Sequence, residues 1–220
     1  MPHPIYVFDA YGTLFDVHSA VARHRDAIGP RADRLSETWR RKQLEYTWVR
    51  SLAGIYRDFW SCTRDALDFA AADAGGIPAD TRAKLLSAYE SLGAYADAQP
   101  ALAALKAQGA RTAILSNGTP HMLNVAVRSA SLGEYLDAIL SVDGIHIYKT
   151  DPRAYRLVTD RFQCGREAVS FQSSNRWDVA GAATFGFRAV WINRSGAPDE
   201  YLDAPPALVV SGLADLIAQA

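Results

Sequence analysis

The chain has 220 residues, 49% of them hydrophobic, enough for one large domain or a domain with a sizeable insert. Its 23 basic and 24 acidic side chains give a formal charge of −1, so no strong field draws in nucleic acid or an anionic membrane. No apolar run is long enough to span a bilayer, no secretion leader opens the chain, and Cys62 and Cys164 lack metal-type spacing, so a reducing cytoplasm is the expected setting.

The first predicted strand covers roughly residues 4–9 and delivers one carboxylate, Asp9, before the chain breaks into a loop. That is where an α/β enzyme places its chemistry. Two residues on stands Tyr11 rather than a second acid. From Val17 to about Leu92 β-type patterning is scarce, and helical periodicity runs near 18–28, 34–52, 57–74 and 80–91. Trp39, Gln43, Tyr46 and Val49 illustrate the spacing of three to four residues. Gly75 to Pro78 is a break, and Asp80 reads as the N-cap of the next helix. The block is expected to be a helical insert.

After Gly93 strands and helices alternate. A helix runs from Gln99 to Gln108, a strand from Arg111 to Leu115, a helix near 120–130 and a short strand from Ala138 to Leu140. Asp151 and Pro152 read as N-cap and first-turn proline of a helix through about Phe162. A strand from Ala168 to Phe171, a helix near 177–185, strands at 189–192 and 208–210 and a last helix complete the chain. Repeated strand–helix units predict a mostly parallel sheet in a three-layer α/β domain.

Parallel strands present their carboxyl ends along one edge, so three polar clusters should converge there: Asp9 to Thr13, Ser116 with Asn117, and Ser173 to Asp178. Asp9 is suited to nucleophilic attack, with a structural cap as its alternative. Gly12 serves a tight turn or a close backbone approach. Thr13 either caps a helix or orients Asp9. Lys149 is either a surface lysine or the ammonium that keeps a carboxylate ionised. Asn175 and Asp178 could be the cap and third residue of a helix; alternatively Asp178 fixes Lys149 or places a water. Arg41 and Glu45 could form a solvated pair, while Arg40, on a stripe with Leu44, could point back at the sheet edge as an anion receptor.

Taken together, the stretches Asp9 to Phe15, Arg40 to Arg50, Leu115 to Gly118, Tyr148 with Lys149, and Ser173 to Asp178 make the chain resemble the L-2-haloacid dehalogenases of the haloacid dehalogenase superfamily. The resemblance covers nearly the whole chain. It implies a Rossmann-like core from residues 1–15 and 94–220, and a helical cap from 16–93 inserted after the first strand. It also implies hydrolysis of short (S)-2-haloacids to (R)-2-hydroxy acids with inversion. Asp9 would attack C2 and displace halide, and water would then cleave the Asp9 ester. Arg40 and Asn117 would receive the halide, with Tyr11 and Phe59 closing an apolar side. Thr13, Lys149, Tyr155, Ser173, Asn175 and Asp178 would form the polar shell. Ala10, Ser116 and nearby backbone would bind substrate, and Leu44 and Trp177 would shape the alkyl pocket. The family is typically dimeric, so a homodimer is expected.

Phosphatase relatives in the superfamily carry a second acid where this chain has Tyr11, and use Mg²⁺. Halide needs no proton to leave, so neither metal nor cofactor is expected here. A Mg²⁺-dependent phosphatase and a catalytically silent interaction protein are the alternatives. Three positions depart from the family pattern: Thr150 where proline is common, Gln172 where a small apolar residue is usual, and Arg176 beside Asn175, read as solvated or, alternatively, as facing the pocket and altering substrate size or charge preference.

Overall fold

The computed structural model describes residues 4–218. Strand β1 (Ile5–Phe8) is buried along its whole length. It lies in the middle of a six-stranded parallel sheet with β2 (Arg111–Ser116), β3 (Ala138–Ser141), β4 (Val169–Ser173), β5 (Arg188–Ile192) and β6 (Leu208–Val210). The order is β3-β2-β1-β4-β5-β6. Phe8 pairs with Ile114 on one side and Gln172 on the other, so the next residues of all three strands emerge together at the carboxyl edge. From β1 the chain moves to β2 on one side, and from the adjacent β4 it moves to β5 on the other; the crevice between β1 and β4 is where an open α/β sheet binds ligands.

Parallel pairing demands long crossovers, and helices supply all but the last. They are α6 (Ala98–Ala107), α7 (Pro120–Ser129), α8 (Pro152–Phe162) and α9 (Arg176–Phe185); residues 193–207 join β5 to β6 without a helix, and α10 (Leu213–Ala218) follows β6. Helix α6 packs with α10, and α8 with α9, against the sheet. Asp151 caps α8 by accepting the Arg153 N–H at 2.9 Å, with Pro152 in the first turn as the sequence predicts.

Between β1 and α6 the chain is helical and forms a cap inserted after the first strand. The 18–28 segment is two short helices, α1 (Ser19–Ala22) and α2 (Arg25–Ile28), rather than one. Then come α3 (Ala32–Ala53), α4 (Phe59–Asp73) and α5 (Ala79–Glu90). Helix α4 is capped by Asp58, whose carboxylate accepts the Ser61 N–H at 2.9 Å. Asp80 is not the cap of α5: Pro78 holds that position, and Asp80 sits inside the first turn, paired with Lys84 at 3.2 Å. The cap lies two residues earlier than expected because Pro78 already presets the entering backbone. Glu45 pairs with Lys42 at 2.8 Å rather than with Arg41. Leu35, Leu67 and Leu85 are fully buried, each contributing about 1.5–3 kcal/mol, so the cap has apolar packing of its own. Among the described residues no helix is long and apolar enough to cross a membrane.

Candidate active site

Asp9 leaves β1 with its backbone N–H held by the Gln172 carbonyl at 2.9 Å. The chain then folds back at once: Leu14 and Phe15 N–H both donate to the Ala10 carbonyl at 3.0 Å, and Gly12 N–H reaches the Phe15 carbonyl at 2.8 Å. Gly12 takes φ +96°, a conformation open to glycine, which is the tight turn predicted for it. The turn leaves Asp9 buried, with its carboxylate surrounded by donors. Lys149 Nζ lies 3.1 Å from Oδ1. Asn175 Nδ2 and Thr13 Oγ1 donate to Oδ2 at 2.7 and 3.2 Å. Thr13 is therefore an orienting group, and its oxygen also accepts the Ser174 N–H at 2.8 Å, tying the β1 and β4 loops together.

Lys149 is fully buried, which removes the surface reading. A second carboxylate, Asp178, sits 2.8 Å from Nζ, and the Tyr155 hydroxyl donates to its other oxygen at 2.8 Å. Burial works against the ammonium, but Asp178 and Asp9 outweigh it and hold the lysine pKa above its ordinary value. Burial pushes Asp178 up to about 6; Lys149 opposes that rise and the Asp9 charge adds to it. Two carboxylates share one cation, so the second negative charge is the costly one. Burial, then the neighbouring Asp178 charge, raises the Tyr155 phenol pKa, so Tyr155 stays a neutral donor.

Asn175 stands at the N-cap position of α9 but makes no capping hydrogen bond: its Oδ1, the atom that would cap, faces Arg40, while its Nδ2 donates to Asp9 and the Tyr11 carbonyl. Ser173 Oγ accepts the Asn175 N–H at 3.1 Å and sets the angle of that turn. The β2 loop arrives from the other side. Asn117 Oδ1 accepts the Lys149 N–H at 3.0 Å, and Ser116 Oγ accepts the Gly118 N–H at 3.1 Å. A side chain at Gly118 would place its Cβ 2.7 Å from the Tyr11 ring, so only glycine lets that ring lie on the loop.

Arg40 does turn back to the sheet edge. Its Nη2 donates to the Tyr11 carbonyl at 3.0 Å and to Asn175 Oδ1 at 3.3 Å. Its Nη1 donates to Gln43 Oε1 at 2.9 Å. Gln43 is in turn fixed by Thr63 at 2.7 Å and by the Tyr89 hydroxyl. Gln43 and Tyr89 went unread as site residues. The one available signal was an uncharged polar side chain in step with Trp39 on a helix; Tyr89 gave none. An aromatic wall closes the cap side: Tyr11 stacks on Tyr89 at 5.7 Å and packs on Phe59 at 5.6 Å. Ala10 is fully buried beneath it. Leu44 is half-buried one turn after Arg40, and Trp48 a further turn on meets Trp177 edge to face at 5.4 Å.

Arg176 is neither solvated nor aimed at Asp9. It is 4% exposed, paired with Asp199 at 2.6 Å, and donates to the Tyr201 and Ala204 carbonyls. Gln172 is fully buried on β4 and donates to Ser170 Oγ at 2.6 Å. Thr150 follows Lys149 through a cis peptide bond. Among the described residues no cluster of three or more His, Cys, Asp or Glu is arranged to hold a metal.

Residues 4–186 match the model of the haloacid dehalogenase-like hydrolases. The chain belongs to this family. It is 51% identical to (S)-2-haloacid dehalogenase 1 of Pseudomonas sp. strain CBS-3 over 211 residues, 96% of this chain and 93% of that one. A solved dehalogenase structure superposes with a TM-score of 0.96 at 46% identity, covering 98% and 96% of the two chains. The L-2-haloacid dehalogenase of Xanthobacter autotrophicus, solved with chloropropionic acid covalently bound, superposes with a TM-score of 0.88 at 37% identity over 99% and 98%. Within the haloacid dehalogenase-like hydrolases, this chain thus stands close to the enzymes of the 2-haloacid branch.

Proposed function

We propose that this protein hydrolyses short (S)-2-haloacids to (R)-2-hydroxy acids with inversion, through an ester on Asp9 and without a metal. The observation that carries the reading is a strand-end carboxylate set between two cations. Lys149 stands at Oδ1, and Arg40 stands beyond Asn175 on the Oδ2 side, with Tyr11 in place of a second acid. Oδ2 already accepts two hydrogen bonds and Oδ1 one, so Oδ1 keeps the spare lone pair for attack.

In the first step Oδ1 bonds to C2 as the carbon–halogen bond breaks, and the electron pair leaves with the halide. Arg40 and the Asn117 amide receive it; their charge and dipole lie where the negative charge develops. Ser116 and the adjoining N–H groups hold the substrate carboxylate, while Ala10, Tyr11, Phe59, Leu44 and Trp177 enclose its alkyl side. Fixing oxygen, carbon and halogen in line is the larger part of the task. In the second step water attacks the ester carbonyl carbon, the Cγ–Oδ1 bond breaks, the departing alkoxide takes one proton of that water, the other proton is released to solvent, and Asp9 is restored as a carboxylate carrying the water oxygen. Thr13, Ser173 and Asn175 orient the carboxyl group, and Asp178 and Tyr155 hold Lys149. The covalently bound chloropropionic acid of the Xanthobacter enzyme supports an ester route.

Exposed Val49, Ile55 and Phe69 on the cap support a homodimer. Two free thiols support a cytoplasmic setting. The test is halide release from both enantiomers of 2-chloropropionate, followed by mass analysis of the Asp9 peptide after turnover in heavy-oxygen water. Halide from the (S) form and label in the Asp9 side chain are expected. Label appearing only in product overturns the ester, and Mg²⁺-dependent turnover of a phosphate ester with no halide release favours the phosphatase.

A further inference from the structure

Gln43 is a neutral amide sealed inside the cap, fully buried on α3 and three residues after Arg40. A buried amide left unpaired is costly, so its bonds indicate its task. Nε2 donates to Thr63 Oγ1 on α4 at 2.7 Å and to the Tyr89 hydroxyl on α5 at 2.9 Å. Thr63 spends its own proton on the Phe59 carbonyl at 2.7 Å, so toward Gln43 it can only accept. That fixes which end of the amide is nitrogen. Oε1 is thereby turned to Arg40 Nη1 at 2.9 Å, with the Tyr89 hydroxyl 3.1 Å from the same oxygen. Side chains from three cap helices thus set one acceptor.

The guanidinium held by that acceptor meets uncharged groups. Its other nitrogen reaches the Tyr11 carbonyl and Asn175 Oδ1. Elsewhere in the cap, Arg34, Arg57 and Arg82 each pair with an aspartate. A carboxylate at position 43 would hold Arg40 as firmly, but it would cancel the charge that an arriving anion needs. An amide orients the guanidinium and leaves its charge open.

We propose that Gln43 is a positioning residue for the departing halide: it aims the Arg40 guanidinium without neutralising it, and Thr63 and Tyr89 set its amide. The proposal rests on the dehalogenase reading for its reaction. Gln43 touches no reacting atom and acts through Arg40 on the step that expels halide. A reacting group misplaced by about 1 Å loses on the order of 10²-fold in rate.

The experiment compares the parent with Gln43→Glu, Gln43→Met and Tyr89→Phe, the last keeping the ring that stacks on Tyr11. The first readout is kcat/KM for (S)-2-chloropropionate, which covers only the steps up to halide expulsion, set beside kcat. The second is bromide affinity from line broadening in bromide NMR, which needs no turnover. Thermal denaturation checks the fold. Expected are a kcat/KM about 10–100-fold lower in both Gln43 variants and a bromide affinity about tenfold weaker, weakest in Gln43→Glu. Tyr89→Phe should show a smaller loss of the same kind. Bromide affinity within about twofold of the parent in every variant that folds overturns the proposal, because Gln43 then only joins the cap helices. A parent that binds no bromide overturns it too, since Arg40 is then not an open anion receptor. If the parent binds bromide but releases no halide from the haloacid, the dehalogenase reading fails, while the bromide series still reports on Gln43.

Discussion

Replacing Lys149 by methionine is the sharpest probe of the buried charges. The side chain is fully buried, with Nζ 3.1 Å from Asp9 and 2.8 Å from Asp178. Methionine keeps most of the volume and removes the cation, leaving two carboxylates facing each other. Breaking a buried ion pair from one side costs about 3–5 kcal/mol. For a chain of this size that is a fall in Tm of roughly 6–20 °C. The pH dependence fixes the sign. Asp178 is already raised to about 6 from the ordinary 3.8, chiefly by burial, and Lys149 is the group opposing that rise. In the parent the proton on Asp178 stabilises the fold below about pH 4, and that contribution is lost as pH rises through about 6. Without Lys149 the folded-state value climbs further, so the variant's deficit is smallest near pH 4–5 and grows toward pH 8. Thermal denaturation across that range, with halide release beside it, measures both effects. Adding Asp178→Asn to the variant should recover about 1–3 kcal/mol, since it removes one of the facing charges. If Lys149→Met keeps the parent's Tm and pH slope and releases halide within tenfold of the parent rate, the shared-cation account is wrong.

Arg40→Lys keeps a charge but loses the fork that spans Tyr11, Asn175 and Gln43; kcat for halide release should fall about 10²–10³-fold with little change in Tm. Tyr155→Phe deletes the 2.8 Å bond that lowers the Asp178 pKa, so the acid limb of the pH–rate profile should move upward, with a loss of about 1–3 kcal/mol in denaturation. Gly118→Ala drives a methyl group into the Tyr11 ring and should cost about 1–3 kcal/mol and raise KM, measured by initial rates and calorimetry.

How far the sequence could be read depends on whether a residue's partners are local. The β1 run with its single acid, and the Asp151 and Pro152 pair, announce themselves within a few residues, because strand patterning and capping are short-range rules. Convergence of Asp9, Asn117 and Asn175 followed from parallel strands sharing one edge, and β1 does lie between β2 and β4. Arg40 was legible only as one of two outcomes, since spacing on α3 does not say which stripe meets the core. Arg176 was misread for the same reason: an arginine is solvated unless its donors are met, and they are met by residues 23 to 28 positions later. Gln43 and Tyr89 are joined across 46 positions by a contact that no periodicity encodes.

On the proposed reading, the charge balance explains why a divalent ion would have no task. Asp9 and Asp178 are balanced by Lys149 and Arg40, so the four side chains sum to zero before substrate enters. A 2-haloacid brings one further negative charge, and displacement moves charge from Asp9 toward the halide without creating any. On that reading the site must supply a second position for the same charge, and Arg40, held by Gln43 on one nitrogen and by the Tyr11 carbonyl and Asn175 on the other, would receive it without moving. Pre-aligned donors need no reorganisation as the charge moves. Phosphoryl transfer places a more heavily charged group against the nucleophile, which this balance does not offset. The helical insert is then part of the electrostatics: Arg40 comes from α3, so the cap carries the second cation, beside the Lys149 of the core.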